Sequence, residues 1–284
     1  MNKLLFLFFC TCFFAAALRA QNPLAYKIFN GKGKATDYEE IIKECKNADI
    51  IFFGELHNNP IIHWLQLELT KDIYSRRPNL VLGAEMFESD NQILINEYFL
   101  GHISQKSFES EARIWNNYAT DYRPLLEFAK SMDILFVATN VPRRYASMVN
   151  KKGLAALEEL PSYSKIYLPA LPIPQDMNLK CYKDMLNIAN GDMKFPQAQM
   201  IKDATMAYNI SKHWQNGQVF LHFNGAFHSD NHEGIIWYLR KYNPDFKIVV
   251  ISSVEQDNIE KLSPDYYQKG NFIIATPSNM TKTY

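Results

Sequence analysis

Cysteine is scarce in this chain: four in 284 residues, two of them at positions 10 and 12. Beyond the first 20 residues only Cys45 and Cys181 remain. They leave room for one disulfide but build no disulfide framework, and no Cys-x-x-Cys pair exists to hold zinc. Charge of one sign is lacking too, with 30 basic residues against 30 acidic. That balance removes the basic footprint of a nucleic-acid-binding protein. An apolar run of membrane-spanning length is also missing: Leu4 to Ala17 is short for an anchor.

The same short run reads well as a signal peptide. Lys3 supplies the positive start, and Leu18-Arg19-Ala20 resembles a cleavage site before Gln21. Phe9 precedes Cys10 and Thr11 precedes Cys12, whereas a lipidated cysteine follows a small residue. The expectation is an exported chain, with 1–20 removed and one α/β domain over 21–284.

Hydrophobic residues make up 47% of the chain, enough for a sizeable core in one large domain. The 16 Tyr and 19 Phe suit a flat apolar ligand, and a large core uses aromatics equally well.

The stretch from Asp49 to Pro60 organises the rest. Ile50 to Phe53 reads as a buried strand that stops at Gly54, and Glu55 and His57 follow at once. Asn58-Asn59-Pro60 then turns the chain into a helix over Ile61 to Arg77. Two residues apart in extended chain, Glu55 and His57 point the same way. On the following helix Ile62, Leu65, Gln66 and Leu69 share a face, and His63 is expected on the surface.

Further apolar runs repeat this form. Asn79 to Phe87 reads as a strand covered on both faces, as in parallel sheets, with Glu85 at its end. A carboxylate in such a run needs a partner, either in a catalytic or metal site or in a salt bridge with an arginine. Asp133 to Thr139 is a third strand, with Asn140 and Arg143 placed to reach a site or simply to make a turn. Val219 to Phe223 is a fourth, and Gly225-Ala226-Phe227-His228 follows it. Asp245 to Ser252 is a fifth, and Gly270 to Thr276 a sixth, expected at a sheet edge. Helical stretches fill the gaps, with insertions expected near 88–131 and 145–215. In the first of these, Asp90 is a candidate helix cap, and Trp115, Tyr118 and Tyr122 form either core or a ligand wall.

The first four strands thus each deliver polar groups at the carboxyl end: Glu55 and His57, Glu85, Asn140, His228. In a parallel α/β sheet that edge is where ligands bind. The expected fold is α/β, a mainly parallel sheet flanked by helices with a smaller helical insertion.

With these residues in hand, the chain resembles the ChaN family of haem-binding uptake proteins in the Tiki superfamily. The resemblance rests on Gly54-Glu55-Leu56-His57-Asn58-Asn59-Pro60, Ala84-Glu85-Met86-Phe87, Asp121-Tyr122-Arg123-Pro124, Asn140-Val141-Pro142-Arg143, Ala198-Gln199 with Asp203 and Met206-Ala207, and Gly225-x-x-His228, in family order. It implies haem binding in iron uptake, with the haem iron held by a tyrosine between paired subunits. Tyr122 is the first candidate because it lies in a matched motif, and Tyr118 the second, with Asn140 and Arg143 as further cofactor contacts. It also implies a homodimer in the periplasm or at the outer-membrane periphery, serving an outer-membrane uptake system. The alternative is a hydrolase, of protease or esterase type, with Glu55, His57, Glu85 and His228 as its catalytic set. There a divalent metal on Glu55, His57 and His228 would activate water, or these groups would act as general bases.

Overall fold

The computed structural model describes residues 23–284, so the expected signal peptide lies outside the described residues. Eight strands form one sheet: β1 (Lys27–Asn30), β2 (Ala35–Thr36), β3 (Ile50–Glu55), β4 (Leu80–Glu88), β5 (Phe136–Asn140), β6 (Val219–Gly225), β7 (Ile248–Gln256) and β8 (Phe272–Pro277). Their order is β2-β1-β8-β7-β3-β6-β4-β5. From β8 to β5 every neighbouring pair is parallel, and β1 and β2 extend the sheet antiparallel. The sixth expected strand is therefore interior, because β1 pairs along its outer side. The segment Tyr26 to Phe29 is too short and too mixed to announce that partner.

Alternation along β3 shows why the central strands read as unbroken apolar runs. Ile51 and Phe53 enter one core cluster, and Ile50 and Phe52 enter another on the opposite face. A strand buried on both faces has no polar side to show. Each fully buried Ile or Phe contributes roughly 1.5–3 kcal/mol of transfer free energy.

Helices α1 (Tyr38–Cys45), α2 (Pro60–Arg76), α3 (Gln92–Phe99), α4 (Gln105–Glu111) and α5 (Arg123–Ser131) supply the first cluster. The second is supplied by α6 (Arg143–Lys152), α8 (Lys180–Ile188), α9 (Lys194–His213) and α10 (Ile235–Tyr242), with the one-turn α7 (Ser162–Lys165) beside them. The two expected insertions are thus the layers on opposite faces. Cys45 and Cys181 belong to different layers and are both free, so no disulfide joins them. Among the described residues, no helix is long and apolar enough to cross a membrane.

Local chemistry fixes the elements that carry the site. Asn59 accepts from the backbone N–H groups of Ile61 and Ile62 and caps α2, with Pro60 in its first turn. The helix therefore starts at Pro60, three residues after His57. Asp90 caps nothing: it lies in a single tight turn and pairs with Arg113 and Arg144. A π-helical turn, Tyr118–Tyr122, precedes α5. It swings both Asp121 and Tyr122 inward.

Candidate functional site

The carboxyl ends of β3, β4, β5 and β6 open into a cleft of about 1270 Å³. Glu55, His57, Glu85, Asn140, Arg143 and His228 all line it, so one edge brings together the strand-end residues read from the sequence.

Two carboxylate–imidazole assemblies form its floor. In the first, His57 Nδ1 lies 2.9 Å from Glu55 Oε1. The same oxygen accepts from the Tyr122 hydroxyl at 2.7 Å, and Oε2 accepts from Gln66 at 2.7 Å. Burial alone would raise the Glu55 pKa, but the His57 hydrogen bond and the charges of His63 and His57 bring it below the usual range. Burial would lower His57, and Glu55 and Glu85 more than reverse it, so its pKa is raised. With its Nδ1 proton on Glu55, His57 keeps Nε2 for other partners.

In the second assembly His228 stands between two acids. Its Nε2 is 3.1 Å from Glu85 Oε1, and its Nδ1 is 2.5 Å from Asp203 Oδ1. Asp203 Oδ2 accepts from the Tyr182 hydroxyl, and Gln199 Nε2 lies 2.9 Å from His228 Nδ1. Burial opposes the charge on His228, but Glu85 and Asp203 raise its pKa to about 9. It is an imidazolium at neutral pH. Burial pushes Glu85 up, yet the His228 charge and hydrogen bond hold it well below the carboxylate range. For Asp203 burial prevails, and its pKa is raised.

Gly225 joins the two. Its N–H donates to Glu85 Oε2 at 2.8 Å. A Cβ there would stand 2.8 Å from both Cε1 and Nε2 of His57. The His57 ring therefore packs over bare backbone and meets Trp115 edge-on at 4.9 Å. Asn140 works from β5: its amide donates to the Glu85 carbonyl at 3.0 Å and so holds the strand end. Arg143 is gripped by Glu88, with Nε 2.5 Å from Oε1, and its side chain is 62% exposed at the rim.

Several expectations need correction. His63 is buried rather than on the surface. It bridges Gln66 and the His57 carbonyl and lies 3.4 Å from Asp121. Glu85 meets His228 and a backbone N–H, with no arginine on it among the described residues. Glu55, His57 and His228 do not converge as metal ligands, since both Glu55 oxygens and both His228 nitrogens are spent on neighbours. Among the described residues no group of three His, Cys, Asp or Glu side chains is arranged to hold a metal ion.

The tyrosines differ most. Tyr122 and Tyr118 are each 2% exposed, and neither lines the cleft. Tyr122 donates to Glu55, and burial together with that negative charge drives its pKa far up. The Tyr118 hydroxyl is buried without a partner, and burial raises its pKa as well. A phenolate at either place would face desolvation, and at Tyr122 also a carboxylate.

Reading by motif passed over the roles of Gln66, Asp203 and Gln199. Gln66 carried a signal, a polar residue on the apolar face of α2. The Asp203 pairing carried none, because His228 lies 25 residues further on and only the fold joins them.

The fold is an open α/β sheet with a cleft at its carboxyl edge, floored by two acid-held imidazoles. The chain belongs to the family described as "Haem-binding uptake, Tiki superfamily, ChaN", which matches residues 41–239. In fold it is similar to the ChaN of Campylobacter jejuni, whose structure is described as cofacial haem binding. That similarity has a TM-score of 0.64 at 16% identity, over 88% of this chain and 96% of that one. A Bacillus cereus protein is also similar, with TM-score 0.52 at 10% identity over 84% and 90% of the two chains. No curated protein matches the chain.

Proposed function

We propose that the protein is an exported haem-binding protein of iron or haem uptake, and that haem enters the sheet-edge cleft with His57 toward its iron. The observation that carries this reading is the His57 environment. A ligand imidazole commonly gives its second nitrogen to a carboxylate, which orients the ring and raises its basicity. Glu55 does this for His57, and Gly225 leaves space beside the ring.

The residues present fit the group. Ile114, Trp115, Phe227 and Val254 offer apolar wall, and Arg143, Lys202 and Lys269 offer cations in the same cleft. Bound iron would supply a Lewis acid for the Nε2 lone pair. The chain itself orients that lone pair, holds the Nδ1 proton on Glu55 and keeps His228 cationic. Phe227 is 39% exposed and Trp115 is partly open, so one subunit leaves apolar surface that a second would cover. Pairing of two subunits around haem, in the periplasm, follows as part of this reading.

The test is a haem titration followed by absorbance, on wild type and His57→Ala. Saturable binding by wild type with a low-spin or imidazole-type spectrum, lost in the variant, supports the reading. Unchanged binding in the variant removes His57 as the ligand.

A hydrolytic reading has one observation in its favour: a part-exposed imidazole backed by Glu55 shares a floor with the His228 imidazolium. His57 would take a proton from water, and His228 would face developing negative charge. Ester or peptide hydrolysis abolished by Glu55→Gln would establish it.

A further inference from the structure

Beyond β8 the chain runs back across the site. Residues 278–284 form no helix or strand, and none of them is buried. A turn at Pro277–Met280 starts the segment, and the Ser278 N–H donates to the Gln256 carbonyl of β7 at 3.2 Å. From there polar clasps hold it. Lys282 pairs with Glu255, both of them part-exposed. The Thr283 N–H donates to the Asn58 carbonyl at 3.0 Å, and its hydroxyl donates to Asp121 Oδ2 at 2.8 Å. The next residue, Tyr284, lines the cleft and is 62% exposed.

Each of these clasps lands on a residue tied to the seat of His57. Asn58 follows His57 directly. Asp121 Oδ2 also accepts from the Asn117 amide at 2.6 Å, and that amide donates to the His57 carbonyl at 2.7 Å. Glu255 accepts from Asn59, the residue that caps α2. The segment thus walls the His57 end of the cleft and grips the loop that places the ring.

A segment held by part-exposed polar contacts, with no buried apolar anchor, opens locally without global unfolding. Its ion pair lies near solvent, adds little and is screened by salt. A wall of that kind lets ligand pass when it lifts. We propose that residues 278–284 are a strap that gates the His57 end of the cleft, latched by Thr283: it lifts to admit ligand and closes to retain it. The use of this gate for haem rests on the haem reading above.

Hydrogen exchange of the full chain without ligand reads the strap itself. The Thr283 amide should be protected, yet exchange at least about hundredfold faster than amides of β3. Thr283→Val keeps the side-chain shape and removes the latch hydroxyl, and should speed strap exchange about tenfold. Thr283→Ser should restore it. Unchanged exchange in β3 confirms that the variants keep the fold. Exchange of the wild-type strap at the free-chain rate would show that it never closes, and exchange as slow as in β3 that it never lifts. Either result overturns the proposal.

Haem is the second probe, with association followed by stopped-flow absorbance and dissociation by transfer to an excess of a tighter haem acceptor. In Thr283→Val both rates should rise about tenfold, while Kd and the spectrum stay close to wild type, because a weakened latch frees entry and exit alike. A wall that only touches the ligand would speed dissociation alone. That outcome, or unchanged rates, overturns the gate and leaves haem binding intact. Failure of wild type to bind haem overturns the haem reading and the gate's use for haem, whereas the intermediate exchange rate still supports a strap that lifts.

Discussion

His57 Nδ1 lies 2.9 Å from Oε1 of Glu55, two residues earlier on the strand that ends there. The pair is local in sequence, yet its chemistry depends on distant residues: Tyr122 and Gln66 complete the carboxylate, and Gly225 makes room for the ring. Glu55→Gln should lower the His57 pKa, because the hydrogen bond and the negative charge both favour the imidazolium. NMR titration of the His57 ring reads this directly. An unmoved titration would show that Glu85 alone sets it.

Haem affinity should rise with pH. Iron and proton compete for Nε2, and Glu55 and Glu85 outweigh burial and raise the His57 pKa, so a rising pH frees the lone pair. A binding isotherm at each of several pH values checks the sign. A flat profile would point to a ligand that does not titrate in that range.

Gly225→Ala should uncouple fold from function. The new Cβ would stand 2.8 Å from a ring that is partly exposed and can swing outward. Stability should therefore fall by only about 1 kcal/mol, near the centre of the range for single substitutions, while haem affinity drops more than about tenfold. Thermal melts beside titrations separate the two effects. Retained affinity would mean that His57 functions off its Glu55 seat.

Tyr122→Phe should do the reverse. It removes a buried donor to an ionised carboxylate, a loss of about 1.5–3 kcal/mol. Haem affinity and spectrum should stay close to wild type, since the hydroxyl does not line the cleft. Denaturant unfolding gives the stability term. Loss of a phenolate-type absorption band in this variant would restore Tyr122 as the iron ligand.

Stability should fall as pH rises from about 6.5 toward 9. His228 is raised from 6.5 to about 9 on folding, so its contribution is complete below the unfolded value and is lost as pH passes the folded one. The fall should be on the order of a few kcal/mol. His228→Gln should be less stable throughout and should lose that slope, a comparison made by melts across the range. An equal slope in both proteins would assign it to another group.

Much of this protein was legible in its sequence. The apolar runs at β3, β4, β5 and β6 fixed a buried parallel sheet, because a strand covered on both faces cannot alternate. The polar groups that end those runs located the cleft, since side chains beyond a parallel strand's last hydrogen bond must emerge at one edge. Asn59 with Pro60 announced the start of α2 through capping chemistry that acts within three residues. Tertiary structure alone decided the rest. Whether Tyr122 is a free phenol or a clamp on Glu55 depends on a contact 67 residues away. His63 is a surface residue by helix periodicity and a buried bridge once the π-helical turn brings Asp121 beside it. Likewise, three potential metal ligands became two hydrogen-bonded assemblies because Asp203 and Glu85 reach His228 first. Spacing along a chain governs what lies within a turn or a strand; partners of buried charges are chosen by packing between elements, and no local pattern encodes that choice.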